Sequence, residues 1–153
     1  MAGSAPNIEL PQFKNLKAVI ITSSWHPEIC QALVSGAQRG FLDSGISEVE
    51  VRTVAGSFEL PLAAQLAFDS GFDVAVVVGL VLRGETPHFD YVCQGVTSGV
   101  MSVSLSRSKP IGFGVLMCDN LEQAIARAGL ASSIEDKGYD SALAALSVIH
   151  ISK

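Results

Sequence analysis

Apolar and polar positions change rhythm repeatedly along this chain, and each change predicts a switch between strand and helix. Ala18-Val-Ile-Ile-Thr-Ser23 is a short β-branched run, the composition of a strand. From about Pro27 to Asp43 the sequence reads as helix, ended by Ser44-Gly45. Glu48-Val-Glu-Val-Arg-Thr-Val54 alternates with period two, which predicts a strand with one wetter face at the edge of its sheet. Pro61 to Ser70 reads as helix and stops at Gly71. The unbroken apolar run Val74 to Val78 predicts a strand buried on both faces.

The alternation continues to the end of the chain. Pro87 to Leu105 carries Phe89, Val92, Val96, Val100 and Val103 at near-helical spacing, and Ile111 to Met117 is the next strand. Asp119-Asn-Leu-Glu122 reads as a helix start, with Asp119 as N-cap and Glu122 three residues on, and this helix should run to Gly129. A loop, Leu130 to Glu135, leads to a last helix with Leu143, Leu146 and Ile149 on one face. The pattern therefore predicts an α/β protein of three layers, α/β/α, around a four-stranded parallel sheet. Residues 1–15 form a polar, proline-containing arm, and 16–153 form a single domain.

Composition sharpens this picture. The chain has 153 residues, of which 48% are hydrophobic and only 16% charged, against about 25% charged in an average domain. Mean hydropathy is +0.40. So little charge leaves apolar surface over once one core is filled, which points to burial against other chains. A net charge of −5 with no cluster of Lys or Arg argues against nucleic acid or an anionic membrane as partner. No apolar run reaches the about 20 residues of a membrane span, and Met1 to Pro11 does not read as a secretory leader. Cys30, Cys93 and Cys118 lie far apart, without C-x-x-C pairing or histidines at ligand spacing. They read as reduced thiols of a cytoplasmic protein without a structural metal.

Parallel sheets bind ligands at the carboxyl ends of their strands. In Arg83-Gly-Glu-Thr-Pro-His-Phe-Asp90, Thr86 suits an N-cap and Pro87 the first helical position. Gly84 permits close approach of a ligand, and free N–H groups at a helix start favour an anion. The segment reads either as a phosphate site or as a capped helix start without a ligand. His88, one turn away, could shuttle protons near neutrality, or be an ordinary surface histidine. Glu59 could accept hydrogen bonds from a polar ligand or simply favour its helix N-terminus. Trp25, taken alone, reads as core. The chain has no G-x-S-x-G elbow and no Walker motif, and Gly112-Phe-Gly114 lacks the third glycine of a dinucleotide fingerprint.

Gly56-Ser-Phe-Glu-Leu-Pro61, Gly79-Leu-Val-Leu-Arg-Gly-Glu-Thr-Pro-His-Phe-Asp-Tyr-Val-Cys93, Gly112-Phe-Gly-Val-Leu116 and Gln123-Ala-Ile-Ala-Arg-Ala-Gly129 together resemble the 6,7-dimethyl-8-ribityllumazine synthase family. The resemblance runs from about Leu16 to Ile149, and its Arg-Gly-Glu-Thr-Pro-His-Phe-Asp block is the most specific part. It implies a flavodoxin-like strand topology and the penultimate step of riboflavin biosynthesis. In that step 5-amino-6-(D-ribitylamino)uracil condenses with 3,4-dihydroxy-2-butanone 4-phosphate, releasing phosphate and water. No metal or organic cofactor is implied.

By matched position, the resemblance gives Trp25 the role of stacking on the pyrimidine and gives Ser57, Phe58 and Glu59 the ribityl chain. Backbone around Leu80, Val81 and Leu82 would meet the ring's polar edge. Gly84, Glu85 and Thr86 would hold phosphate, and His88 would transfer protons. Phe113, Arg127 and Lys137 would reach in from a neighbouring subunit, with Arg127 on the phosphate. Read without the family, those three are a core aromatic, a solvated helix charge and a loop charge. Ser57 stands where the family commonly has a smaller residue. The loop from Gly129 to Lys137 looks about two residues longer than in icosahedral members, which favours a free homopentamer over an icosahedral shell. Riboflavin synthase is a further partner the resemblance suggests. The rival readings are a flavin-binding module without turnover and a purely structural shell protein.

Overall fold

The computed structural model describes residues 5–152. Its sheet has four strands, β1 (Ala18–Ser23), β2 (Val49–Val54), β3 (Val74–Leu82) and β4 (Ile111–Cys118), in the order β2-β1-β3-β4. Every pairing is parallel. The helices are α1 (Pro27–Asp43), α2 (Leu60–Asp69), α3 (His88–Arg107), α4 (Leu121–Ile125) and α5 (Lys137–Ile151), with one 3₁₀ turn at Ser57–Glu59. This is the expected three-layer α/β/α fold with a flavodoxin-like strand order.

Side chains alternate across a strand, so a strand buried on both faces feeds two cores. In β1, Ile20 joins a core built with Leu33 and Phe41 of α1, Val76 of β3 and Leu146 of α5. Its neighbours Val19 and Ile21 point the other way, to Leu60 and Phe68 of α2 and Val96 of α3. The mixed β2, with exposed Glu50 and half-buried Arg52, lies at the edge as its alternation predicts. Ahead of β1, Phe13 is buried in the α1-side core and its N–H donates to the Ser44 carbonyl at 2.8 Å.

Helices α1 and α5 come unusually close. A Cβ built on Gly138 would lie 2.8 Å from the Leu33 carbonyl carbon and nearer still to its oxygen. Gly40 meets Ala142 in the same way, its Cβ position 2.8 Å from the alanine methyl. The glycines let two backbones pack where side chains would hold them apart.

Several local expectations need correcting. Thr86 is not an N-cap: α3 begins at His88 with Pro87 in the cap position, and no side chain caps it. Asp119 is not an N-cap either; Asn120 takes that role and its side chain accepts from the Gln123 N–H at 2.9 Å. The Asp119 carboxylate is instead held by Arg83. Helix α4 ends at Ile125 rather than at Gly129, whose φ of 79° closes the following turn. In α5 the buried stripe is Ala142, Ala145, Leu146 and Ile149, and Leu143 lies beside it, half-buried. Strand β3 continues through Gly79 to Leu82. Asn120→Ala should therefore cost about 1 kcal/mol, seen as a lower urea midpoint at unchanged slope. Thr86→Ala removes no cap and should leave the midpoint in place.

Candidate active site

The chain leaves β1 toward β2 on one side and reaches β3 on the other, so the crevice at the carboxyl ends of β1 and β3 is the topological switch point. Two hydroxyls converge there. A Cβ on Gly79 would sit 2.7 Å from Ser57 Oγ and 3.1 Å from Ser23 Oγ, so glycine is what leaves them room. Ser57 is buried, and its hydroxyl has no partner among the described residues.

Past β1 the backbone turns sharply at His26, a non-glycine residue in the left-handed region with φ of 52°. Cys30 Sγ donates to the Trp25 carbonyl at 3.0 Å and Ser24 Oγ to the Val54 carbonyl at 2.8 Å, pinning the turn from both sides. Trp25 is thrown outward and is 67% exposed, so its reading as a core residue is overturned. Its Nε1 lies 3.6 Å from where a Cβ of Gly56 would be. Glu59 folds back on the same glycine, its carboxylate accepting from the Gly56 N–H at 2.8 Å. Phe58, 61% exposed, lies across Gly95 of α3. Trp25, Ser57, Phe58 and Glu59 thus share one end of the β2-β1-β3 side.

Strand β3 delivers Leu80, Val81 and Leu82 to the same end, the first buried and the others half-buried. Gly84, Glu85, Thr86 and His88 follow, all exposed. Apart from Gly84 and its two chain neighbours, nothing among the described residues comes within 4 Å of a Cβ built on Gly84. Among the described residues, the amides of Gly84, Glu85 and Thr86 have no partner. Such a run of unpaired N–H groups leading into a helix is suited to an anion.

Phe113, Arg127 and Lys137 lie elsewhere. Phe113 pairs with Val77 near the start of the edge strand β4 and is 40% exposed, so it is not a core aromatic. At about 3.3 Å per residue it stands about 16 Å short of the carboxyl end of β4. Arg127 follows α4 and donates to the Gln123 carbonyl at 2.9 Å. Lys137 opens α5, and its backbone N–H reaches the Arg127 carbonyl at 3.0 Å. Its ammonium pairs with Glu135 and, at 3.3 Å, with Asp140; the Glu135 hydrogen bond above all raises its pKa. These residues form a second group, on and after β4, and Arg127 is linked to the first group through Gln123, Asp119 and Arg83.

Burial raises the thiol pKa values of Cys93 and Cys118, so neither is poised as a nucleophile. Among the described residues no cluster of His, Cys, Asp or Glu could hold a metal ion, and no helix is long and apolar enough to cross a membrane.

The family model described as 6,7-dimethyl-8-ribityllumazine synthase matches residues 15–153. The chain belongs to the 6,7-dimethyl-8-ribityllumazine synthase family. A lumazine synthase of Streptomyces coelicolor is 46% identical over 142 residues, covering 93% of this chain and 88% of the relative. One from Renibacterium salmoninarum is 51% identical over 140 residues, 87% of each chain. One from Paenarthrobacter aurescens is 49% identical over 148 residues, covering 93% and 91%. Membership makes the protein a transferase of riboflavin biosynthesis. Sequence reasoning missed one feature of this lumazine synthase fold: Arg83 ties the segment before His88 to Asp90 and Asp119. Its signal, an arginine ending a strand with acids seven and 36 residues away, is too common to stand out.

Proposed function

We propose that the chain condenses 5-amino-6-(D-ribitylamino)uracil with 3,4-dihydroxy-2-butanone 4-phosphate at a site completed between two copies in a homopentamer. The observation that carries this reading, beyond family membership, is that Phe113 of the second group, half-exposed on the edge strand β4, stands about 16 Å short of the carboxyl ends where the first group lies. In a ring of identical chains joined head to tail, each contact brings one chain's first group against its neighbour's second. Exposed Leu62 and Leu66 on α2, with Tyr91, Met101 and Leu105 on α3, supply apolar area for such contacts.

In this site Trp25 stacks on the pyrimidine and the Ser57–Glu59 turn receives the ribityl chain. The ring's polar edge meets the backbone of Leu80 to Leu82. The phosphate rests on the amides of Gly84 to Thr86, with Arg127 and Lys137 arriving from the neighbour beside Phe113. The pyrimidine's amino group attacks the ketone and, with loss of water, gives an imine. Phosphate then leaves by elimination, and the ring closes as the ribityl-bearing nitrogen adds to the remaining carbonyl with loss of a second water. His88 exchanges protons with the reacting groups. A cytoplasmic location suits the free cysteines, and the arm of residues 1–15 precedes the single domain.

Supplying both substrates should produce lumazine absorbance and one phosphate per product, and sedimentation should give the mass of five chains. Binding of the pyrimidine without phosphate release would leave only a binding protein, and a monomer with full activity would rule out the shared site.

A further inference from the structure

We propose that Arg83 is a positioning residue that fixes the shape of the phosphate-binding segment without touching the substrate, an inference that rests on the proposed function. Among the described residues, the amides of Gly84–Thr86 make no hydrogen bond that would hold the segment. Its conformation must therefore be set at its ends.

Arg83 supplies restraint at both. Its backbone N–H donates to the Cys118 carbonyl at 2.9 Å, which continues the β3–β4 pairing by one residue. Its guanidinium sends Nε to Asp119 Oδ1 at 2.7 Å and Nη1 to Asp90 Oδ1 at 3.3 Å. The same plane lies 4.2 Å over the Phe89 ring. Phe89 and Asp90 directly follow His88 in the first turn of α3. One side chain thus joins the end of β3, the start of α3 and the residue after β4, bracketing Gly84 to His88.

The bracket extends further. The Asp119 N–H donates to Gln123 Oε1 at 2.8 Å, and the Gln123 carbonyl accepts from Arg127 Nη1 at 2.9 Å. The chain that shapes one phosphate segment is therefore continuous with the arginine offered to a neighbour.

A direct role in phosphate binding fits less well. The cation already faces two carboxylates of its own chain, and its plane is stacked on Phe89. A planar fork with a stacked face is also something lysine cannot reproduce.

The test uses the assembled protein with Arg83→Lys and Arg83→Gln. Both should raise KM for the butanone phosphate by about tenfold to a hundredfold, the scale of a misplaced binding group. Both should weaken the binding of inorganic phosphate, measured by calorimetry, by a similar factor. KM for the pyrimidine should stay within about twofold of wild type. Because exposed ion pairs contribute little to stability, the melting temperature should move by no more than about 3 °C. Recovery of wild-type values by lysine would overturn the proposal in favour of charge alone. Unchanged phosphate affinity in both variants, or parallel loss of both substrates with a collapsed melting temperature, would overturn it as well. Wild-type protein that binds phosphate and loses that affinity on substitution, yet never makes lumazine, would sink the proposed function and leave the positioning role standing.

Discussion

His88→Ala should slow turnover by about a hundredfold to ten-thousandfold without abolishing it, because positioned acid–base help is worth about that much. Holding two substrates in reacting geometry supplies about 7–11 kcal/mol, and the alanine variant keeps that contribution. Arg127→Ala should act differently, raising KM for the butanone phosphate more than it lowers kcat. Steady-state kinetics on the two variants separate these effects. A folded His88→Ala protein that binds both substrates and shows no turnover would put the proton-transfer step above positioning.

Mixing the same two variants tests the shared site. In randomly mixed rings about one contact in four pairs an intact His88 side with an intact Arg127 side. Refolding equal amounts together should therefore restore about a quarter of wild-type activity. Hybrids confirmed by mass that recover nothing would mean each chain builds its own site.

The largest loss of stability should come from Gly138→Ala. The added methyl meets the Leu33 backbone rather than a movable side chain, with the carbonyl carbon 2.8 Å away. Overpacking costs about 1–3 kcal/mol where neighbours can give way, and here α1 or α5 must shift as a unit. A loss of about 3 kcal/mol lowers the melting temperature of a domain this size by about 6–12 °C. The shift also moves Lys137, so activity should fall at temperatures where the variant is still folded. A melting temperature within a degree or two of wild type would show that the two helices can slide apart freely.

Much of the fold is legible in the sequence because apolar periodicity reports directly on burial. Helix α1 runs from Pro27 to Asp43 as the pattern predicts, and the alternation of Glu48 to Val54 correctly puts β2 at an edge. The errors fall where a contact distant in sequence decides a local choice. Asp119 and Asn120 are both good capping residues, and Asn120 caps because Arg83 has claimed Asp119. The sequence pattern ends the strand at Val78, yet β3 passes through Gly79, where two serine hydroxyls occupy the space a side chain would need. Trp25 reads as core from its type alone, but the left-handed turn at His26 turns it out.

The site is legible mainly through its resemblance to known sequences. The helix start after β3 also suggests an anion on physical grounds, through Gly84 and the free amides. Nothing in the local pattern of Phe113, Arg127 or Lys137 marks them as functional. Their partners in the chain are a strand edge, a neighbouring carbonyl and two carboxylates. What would make them functional is another copy of the molecule, which a single sequence does not display.

The distance of Phe113 from the crevice has a consequence for timing. On the proposed reading, a newly made chain reaches its folded shape without any working centre. Catalysis then begins only when chains meet, so the lag between synthesis and the first product is set by collision and shortens as chains accumulate.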